Sequence, residues 1–205
     1  MECGGTEMAT KTQISKEVIL QAALELPFVT GIQLSIFKTL SKEIGCSTQP
    51  IVWHFENMEG LCKALSEYAN SQMCPSAENA IKAFEQVGAA FVHIAVTEPN
   101  LFRFLYLEGY SSLPSDNFDA LVADKDNAIL IKRISKQLAI SEESAGRYLQ
   151  NTIIYTHGIA TIAATGLINA SEEEMMKLVY RAADAFLVQE GVPLEKIPSI
   201  EEMQN

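Results

Sequence analysis

Apolar residues return every three or four positions along almost all of this 205-residue chain, and no run alternates apolar and polar with a period of two. That rhythm suits helices, whose faces repeat every ~3.6 residues, and denies a sheet the half-buried strands it needs. The chain is therefore expected to be all-α, with about nine helices and short connections. A first helix carries Ile14, Val18, Leu20, Ala22, Leu24 and Leu26 and is expected to stop at Gly31, with Pro27 loosening its last turn. Pro75-Ser76 is expected to open another, reaching about Thr97 through Ile81, Phe84, Val87, Phe91 and Ile94. "TEPN" (97–100) and "SSLPSDN" (111–117) interrupt the chain, the second before a helix that reaches Leu138. Ser141 followed by Glu142 and Glu143 reads as a cap with anions at the positive helix end. Ser171 with Glu174 reads as a capping box, and Gly191-Val192-Pro193 closes the helix it starts, leaving an extended strap behind it.

Several function classes are set aside at this stage. The most apolar run, "IIYTHGIATIAATGLI" (153–168), is broken by Thr, His and Gly and falls short of the ~20 residues a bilayer requires. The opening "MECGGTEMATK" has no apolar stretch of the secretory kind and reads as a leader (1–11), so a cytoplasmic protein is expected. Cys3, Cys46, Cys62 and Cys74 form no C-x-x-C pair and have no zinc-like His spacing, so reduced thiols and no metal or cofactor are expected. Three dispersed histidines, no H-E-x-x-H and no Gly-rich phosphate loop give no catalytic constellation, and no enzyme is expected.

The informative stretch is "GCSTQPIVWHFEN" (45–57) with its flanks. "LSIFKTLSKEI" offers Ser35 as a cap and Ile36, Leu40 and Ile44 as an apolar line; Gly45 closes it. "TQPIVWHF" makes a helix of barely two turns, and "NMEGLCKALSEYANSQM" starts a longer one behind Asn57. Two short helices around a Gly-containing turn is the pattern of a helix-turn-helix. With Ser47 as N-cap, Pro50 is the third helical residue, where a missing N–H removes no intrahelical bond. Phe55 is expected to pack beneath the turn. So short a helix cannot also bury both Trp53 and His54, which leaves them for the outer face.

Residues 18–65, "VILQAALELPFVTGIQLSIFKTLSKEIGCSTQPIVWHFENMEGLCKAL", resemble the DNA-binding domain of the TetR family of bacterial transcriptional regulators. The likeness rests on "ILQAALEL", Gly31, Leu34-Ser35, "LSKEIGCS", "HF" at 54–55 and "E-x-L" at 59–61, and covers about a quarter of the chain. It implies an N-terminal three-helix helix-turn-helix domain (12–58), a larger effector-binding and dimerisation domain (59–191) and a tail (192–205). By position it assigns Thr48 and Gln49 to base edges, and Ser47, Trp53, His54, Ser35 and Lys38 to phosphates. The chemistry fits: Gln pairs bidentately with adenine, Thr offers a hydroxyl and a methyl, and Trp and His N–H groups donate to phosphate. The chain departs from the family at Val52 (usually Tyr), Met58 (usually Lys), Phe37 (usually Arg) and Pro27 (usually Phe). Fewer phosphate partners imply a shallower salt dependence. The alternative is a TetR-like ligand- or protein-binding module that has given up specific DNA binding.

Charge follows the same division. Residues 1–70 hold five Lys/Arg against eight Asp/Glu, a net of −3, whereas residues 71–205 hold ten against eighteen, a net of −8. In that acidic part, Met175, Leu178, Val179, Ala182, Ala183, Phe186 and Leu187 form one helical stripe, and Ile154, Gly158, Ile162 and Thr165 another. Two such helices from each of two chains are expected to form a homodimer seam, since a helix-turn-helix reads half-sites about one duplex turn (~34 Å) apart. The alternative is that the stripe packs on its own domain. Phe91, Phe102, Tyr106, Tyr110, Tyr148 and Tyr155 are expected to wall a cavity for a small hydrophobic effector, with His93 and His157 as polar groups; singly, each can equally be plain core. The expected whole is a ligand-responsive repressor on double-stranded operator DNA.

Overall fold

The computed structural model describes residues 14–26, 36–73, 79–107 and 117–197. Among these the chain is all-α, with nine α-helices and no strand. It divides into two compact units, Met1–Leu61 and Cys62–Asn205.

The smaller unit holds α1 (Lys16–Glu25), α2 (Ile36–Ile44) and α3 (Gln49–Phe55), each packed on the other two. Ser15 caps α1 by accepting from the Val18 N–H. The helix ends sooner than Gly31: Leu26 already has ψ 134°. A residue that precedes proline is driven out of the helical region by the ring's Cδ, so the helix stops ahead of Pro27 rather than running through it. Ile19 and Ala23 of α1, Leu40 of α2, and Ile51 and Phe55 of α3 make the core. The Lys16 ammonium lies 5.8 Å from the Phe55 ring centroid and screens that edge of it. A Schellman motif closes α2. Cys46 N–H donates to the Ser41 carbonyl and Gly45 N–H to that of Lys42, with Gly45 at φ +72°.

The larger unit is built on α5 (Ala80–Thr97), α8 (Glu142–Thr165) and α9 (Glu172–Gln189), which pack on one another. It also holds most of α4 (Met58–Gln72), a short α6 (Pro99–Phe102) that continues into a π-helical turn at Arg103–Leu107, and α7 (Lys125–Leu138) against α5 and α8. Asn79, not Pro75-Ser76, starts α5: its side chain accepts from the Ile81 and Lys82 N–H groups. Pro75 and Ser76 lie outside the described residues. Gln137 then clips α7 to that cap, donating to Asn79 Oδ1 and accepting from the Ala80 N–H. A 3-10 turn, Phe118–Val122, precedes α7, which begins only at Lys125 behind the Asp124 cap. Ser141 caps α8, and the Ser171–Glu174 capping box opens α9. Schellman pairs at Gly166 and Gly191 end these two helices. Val192 tucks into the core behind α9, and Leu194–Lys196 forms a 3-10 turn where an extended strap is expected. No helix among the described residues is long and apolar enough to cross a membrane.

Candidate functional sites

The first site is the outer face of α3. Thr48, not Ser47, is its N-cap: the Thr48 carbonyl takes the first intrahelical bond from Val52 N–H at 3.0 Å, and its hydroxyl makes no capping bond. Pro50 is thus the second helical residue, where an N–H is equally dispensable. Ile51 and Phe55, four residues apart, turn inward, so the opposite side presents Gln49, Val52 and Trp53, the last 70% exposed. Ser47 is exposed as well, Thr48 is half-buried, and Lys38 of α2 is exposed; Ser35 lies outside the described residues.

His54 departs from its expected place. Its Nε2–H donates to the Ile14 carbonyl at 2.9 Å, tying α3 to the residues ahead of α1. This bond commits Nε2 to the backbone and leaves Nδ1 as the one ring nitrogen for a further partner. Position within the motif carries the phosphate expectation; a partner 40 residues away in sequence takes one of the two ring nitrogens from it.

The end of α3 is held by backbone geometry that the sequence reading passed over. Glu56 adopts φ +61°, ψ −56°, and the Asn57 N–H reaches back to the Phe55 carbonyl at 2.6 Å, a three-residue γ-turn that is rare and strained. Gly60, in the first turn of α4, lies so close that a Cβ there would stand 2.0 Å from the Phe55 carbonyl oxygen. Asn57 Oδ1 accepts from the Gly60 N–H and completes the junction. A glycine at the third position of a helix is a weak sequence signal for such an approach.

The second site lies in the larger unit. Phe91 of α5 meets Phe102 of α6 at 5.0 Å between centroids and Tyr106 of the π-helical turn at 4.9 Å. His157 of α8 closes the group, 5.8 Å from Phe91 and 6.0 Å from Phe102. Burial pushes the Tyr106 hydroxyl up to about 12 and lowers the His157 imidazole, so both are neutral at physiological pH. Neutral polar tips among aromatic faces are what an apolar ligand with one hydrogen-bonding group requires. Tyr106 is carried by the π-helical turn, which widens the backbone by one residue.

The other expected wall residues are elsewhere. Tyr148 is wholly buried and edge-on to Phe84, 5.9 Å away, in the core of α5, α7, α8 and α9. Tyr155 is 36% exposed and packs on Phe186 of α9. His93 is exposed and pairs with Glu172 at 3.0 Å, so it lines no cavity. Tyr110 lies outside the described residues. Helical spacing placed these rings on helices but did not say which neighbour each face meets.

A third surface follows α8 and α9. The expected seam separates into two lines. Val179 and Ala183 are buried within their own unit, in register with Met175 and Leu187, because α5 and α8 cover that side of α9. They are thereby removed from any partner-facing set. The neighbouring line keeps its exposure: Leu178 is 44% exposed, and Ala182 and Phe186 are half-buried. On α8, Ile154 is 42% exposed, Gly158 is exposed and Ile162 half-buried.

Burial, then Glu85 and Asp184, push the Tyr148 hydroxyl up, and burial, then Glu85, pushes up that of Tyr180. Among the described residues, no cluster of three His, Cys, Asp or Glu side chains is able to hold a metal ion. Comparison with known protein families, with characterised proteins and with solved structures finds no match.

Proposed function

We propose that the chain is a TetR-like transcriptional regulator of the cytoplasm that binds operator DNA as a homodimer and is released or repositioned by a small hydrophobic effector, most simply as a repressor. One observation carries the reading. A two-turn helix after a Schellman turn buries Ile51 and Phe55 and leaves Gln49 and Trp53 exposed, with the Thr48 hydroxyl free of capping duty. Gln49 and Thr48 are the base-reading pair in this proposal; Ser47, Trp53 and Lys38 supply phosphate contacts. His54 is left out of that set because it holds the Ile14 carbonyl.

The effector chamber is assigned to Phe91, Phe102 and Tyr106 with His157. The dimer seam is assigned to Ile154, Gly158, Ile162, Leu178, Ala182 and Phe186, an outward apolar line that a second copy covers. Linkage between the two functions requires an effector that prefers one spacing of the paired reader helices, with a coupling of ~1–3 kcal/mol.

The exposed Val52 and the scarcity of cations on α3 favour a second reading, a TetR-like binding module without sequence-specific DNA recognition. Trp53 is the single tryptophan of the chain, so its fluorescence reports on α3 alone. Titration with operator-length DNA fragments at two salt concentrations separates the readings. Quenching of Trp53 with affinity that falls as salt rises supports the regulator; an unchanged spectrum at both salts supports the module.

A further inference from the structure

Helix α7 turns a row of cations outward that neither the face of α3, the aromatic chamber nor the α8–α9 line uses. Its inner side is settled by packing: Ile134 and Leu138 are buried, and Leu130 and Ile131 pack against the core shared with α5, α8 and α9. The opposite side is exposed. It carries Lys125, Ile129, Lys132 and Lys136, spaced as i, i+4, i+7 and i+11, with Arg133 beside them. At 1.5 Å per residue the row is about 16 Å long. Ile129, 58% exposed, stands within it with a cation one turn away on either side.

This row differs from an ordinary solvated helix face. Arg147 of α8 and Lys177 of α9 each pair with an acid four residues earlier, Glu143 and Glu173, both at 2.7 Å. On α7, every position three or four residues from Lys125, Lys132, Arg133 or Lys136 is uncharged or basic. Lys125, Lys132 and Lys136 make no ion pair among the described residues. Lys132 and Lys136, four apart, repel at a cost of ~0.2–0.5 kcal/mol. With Asp126 as its one acid, α7 has a net charge of +3 in a chain of −11. It is a positive island whose repulsion an external anion relieves.

The chemistry narrows the partner. A nucleic-acid backbone would leave Ile129 facing phosphates, and α7 has no aromatic side chain on which a base could stack. A bilayer requires a broad apolar face, whereas here Ile129 and Ala128 are all the exposed apolar surface of the helix. An isoleucine with cations one turn to either side is complementary to an acidic helix that sets an apolar residue between its carboxylates. We infer that the outward face of α7 is a docking surface for an acidic amphipathic segment of a partner protein, with Ile129 as the apolar anchor and Lys125, Lys132, Arg133 and Lys136 around it. The surface belongs to the larger unit alone and stands whether or not the chain binds DNA.

Fluorescence anisotropy of the full chain with a fluorescein-labelled helical peptide of Glu, Leu and Ala tests it, beside the same peptide with Gln for Glu. A random-sequence DNA duplex and phosphatidylserine vesicles serve as further probes. The Glu peptide binds at least tenfold more tightly than the Gln peptide, and its affinity falls as salt rises. Lys132→Glu with Lys136→Glu lowers that affinity at least tenfold, with helix content by circular dichroism and mass in sedimentation unchanged. Lys63→Glu with Lys177→Glu, an equal change of charge at exposed positions on other helices, leaves it within twofold of the wild type. Ile129→Ser, which removes the anchor and no charge, weakens it several-fold. Equal binding of the two peptides, none at millimolar concentration, an affinity unchanged in either α7 variant, or an equal loss in the control variant overturns the assignment. Duplex or vesicle binding that is tighter than peptide binding and lost with Lys132→Glu, Lys136→Glu also overturns it, in favour of a nucleic acid or a membrane. A fall in mass in that variant overturns it in favour of a second copy.

Discussion

Gly60 shows how little space separates the end of α3 from the start of α4. A Cβ 2.0 Å from the Phe55 carbonyl oxygen has no flexible neighbour to push aside, because that oxygen belongs to the backbone of α3. Gly60→Ala is therefore expected to destabilise the protein by about 3 kcal/mol, the upper range of overpacking, read as a lowered urea midpoint at unchanged slope. Glu56→Gly, which relaxes a side-chain-bearing residue held at φ +61°, is expected to stabilise by about 1 kcal/mol in the same assay. Glu85 makes the second expectation at this level. In the unfolded chain its carboxyl ionises near the ordinary value of 4.5, whereas burial, then Asp184, raise it to about 7 in the fold. Between those values the folded state holds more proton. Its contribution is thus complete below about pH 4.5, declines as pH rises through about 7, and is level above. The loss is about 2 kcal/mol after discounting the part of the group still in water. Wild type minus Glu85→Gln, compared by urea unfolding at pH 5 and pH 8, isolates it; a difference independent of pH contradicts the burial of this carboxyl.

Helix ends were the most legible features, because caps depend on residues a few positions apart. Ser141, the Ser171–Glu174 box and the Gly191 stop all follow from local hydrogen bonding. The two faces of α3 were legible for a related reason: Ile51 and Phe55 share a face, so Gln49 and Trp53 must take the other. What escaped depends on partners distant in sequence. The His54 bond to Ile14, the separation of Tyr148 from Phe91, and the action of carboxylates on the Tyr148 hydroxyl arise only when helices dock. The α9 stripe is the intermediate case. Its apolar positions were readable, but its division into an inner line (Val179, Ala183) and an outer line (Leu178, Ala182, Phe186) depends on where α5 and α8 lie. The outer line yields its own expectation. Leu178→Glu with Ile154→Glu places charge on exposed positions, leaves helix content by circular dichroism unchanged, and converts a dimer of about 45 kDa, twice the 22.5 kDa chain, to monomer in sedimentation. Equal masses for variant and wild type contradict the seam.

A net charge of −11 opposes approach to any polyanion, so DNA recognition of the proposed kind would have to come from the local face of α3 rather than from the field of the chain. In the proposed homodimer, two copies of that face would present Thr48 and Gln49 to successive major grooves. The proposal makes DNA binding dependent on pairing: the Leu178→Glu, Ile154→Glu chain is expected to lose at least a hundredfold in affinity although α3 is untouched. Selection from a random-sequence duplex library with the purified chain decides the matter. The account predicts enrichment of a two-fold symmetric site whose half-site centres lie about 34 Å apart or a multiple of that, with Gln49→Ala relaxing preference at one base pair per half-site. A library that emerges without any enriched sequence, or a site equally well selected by the Gln49→Ala chain, contradicts it.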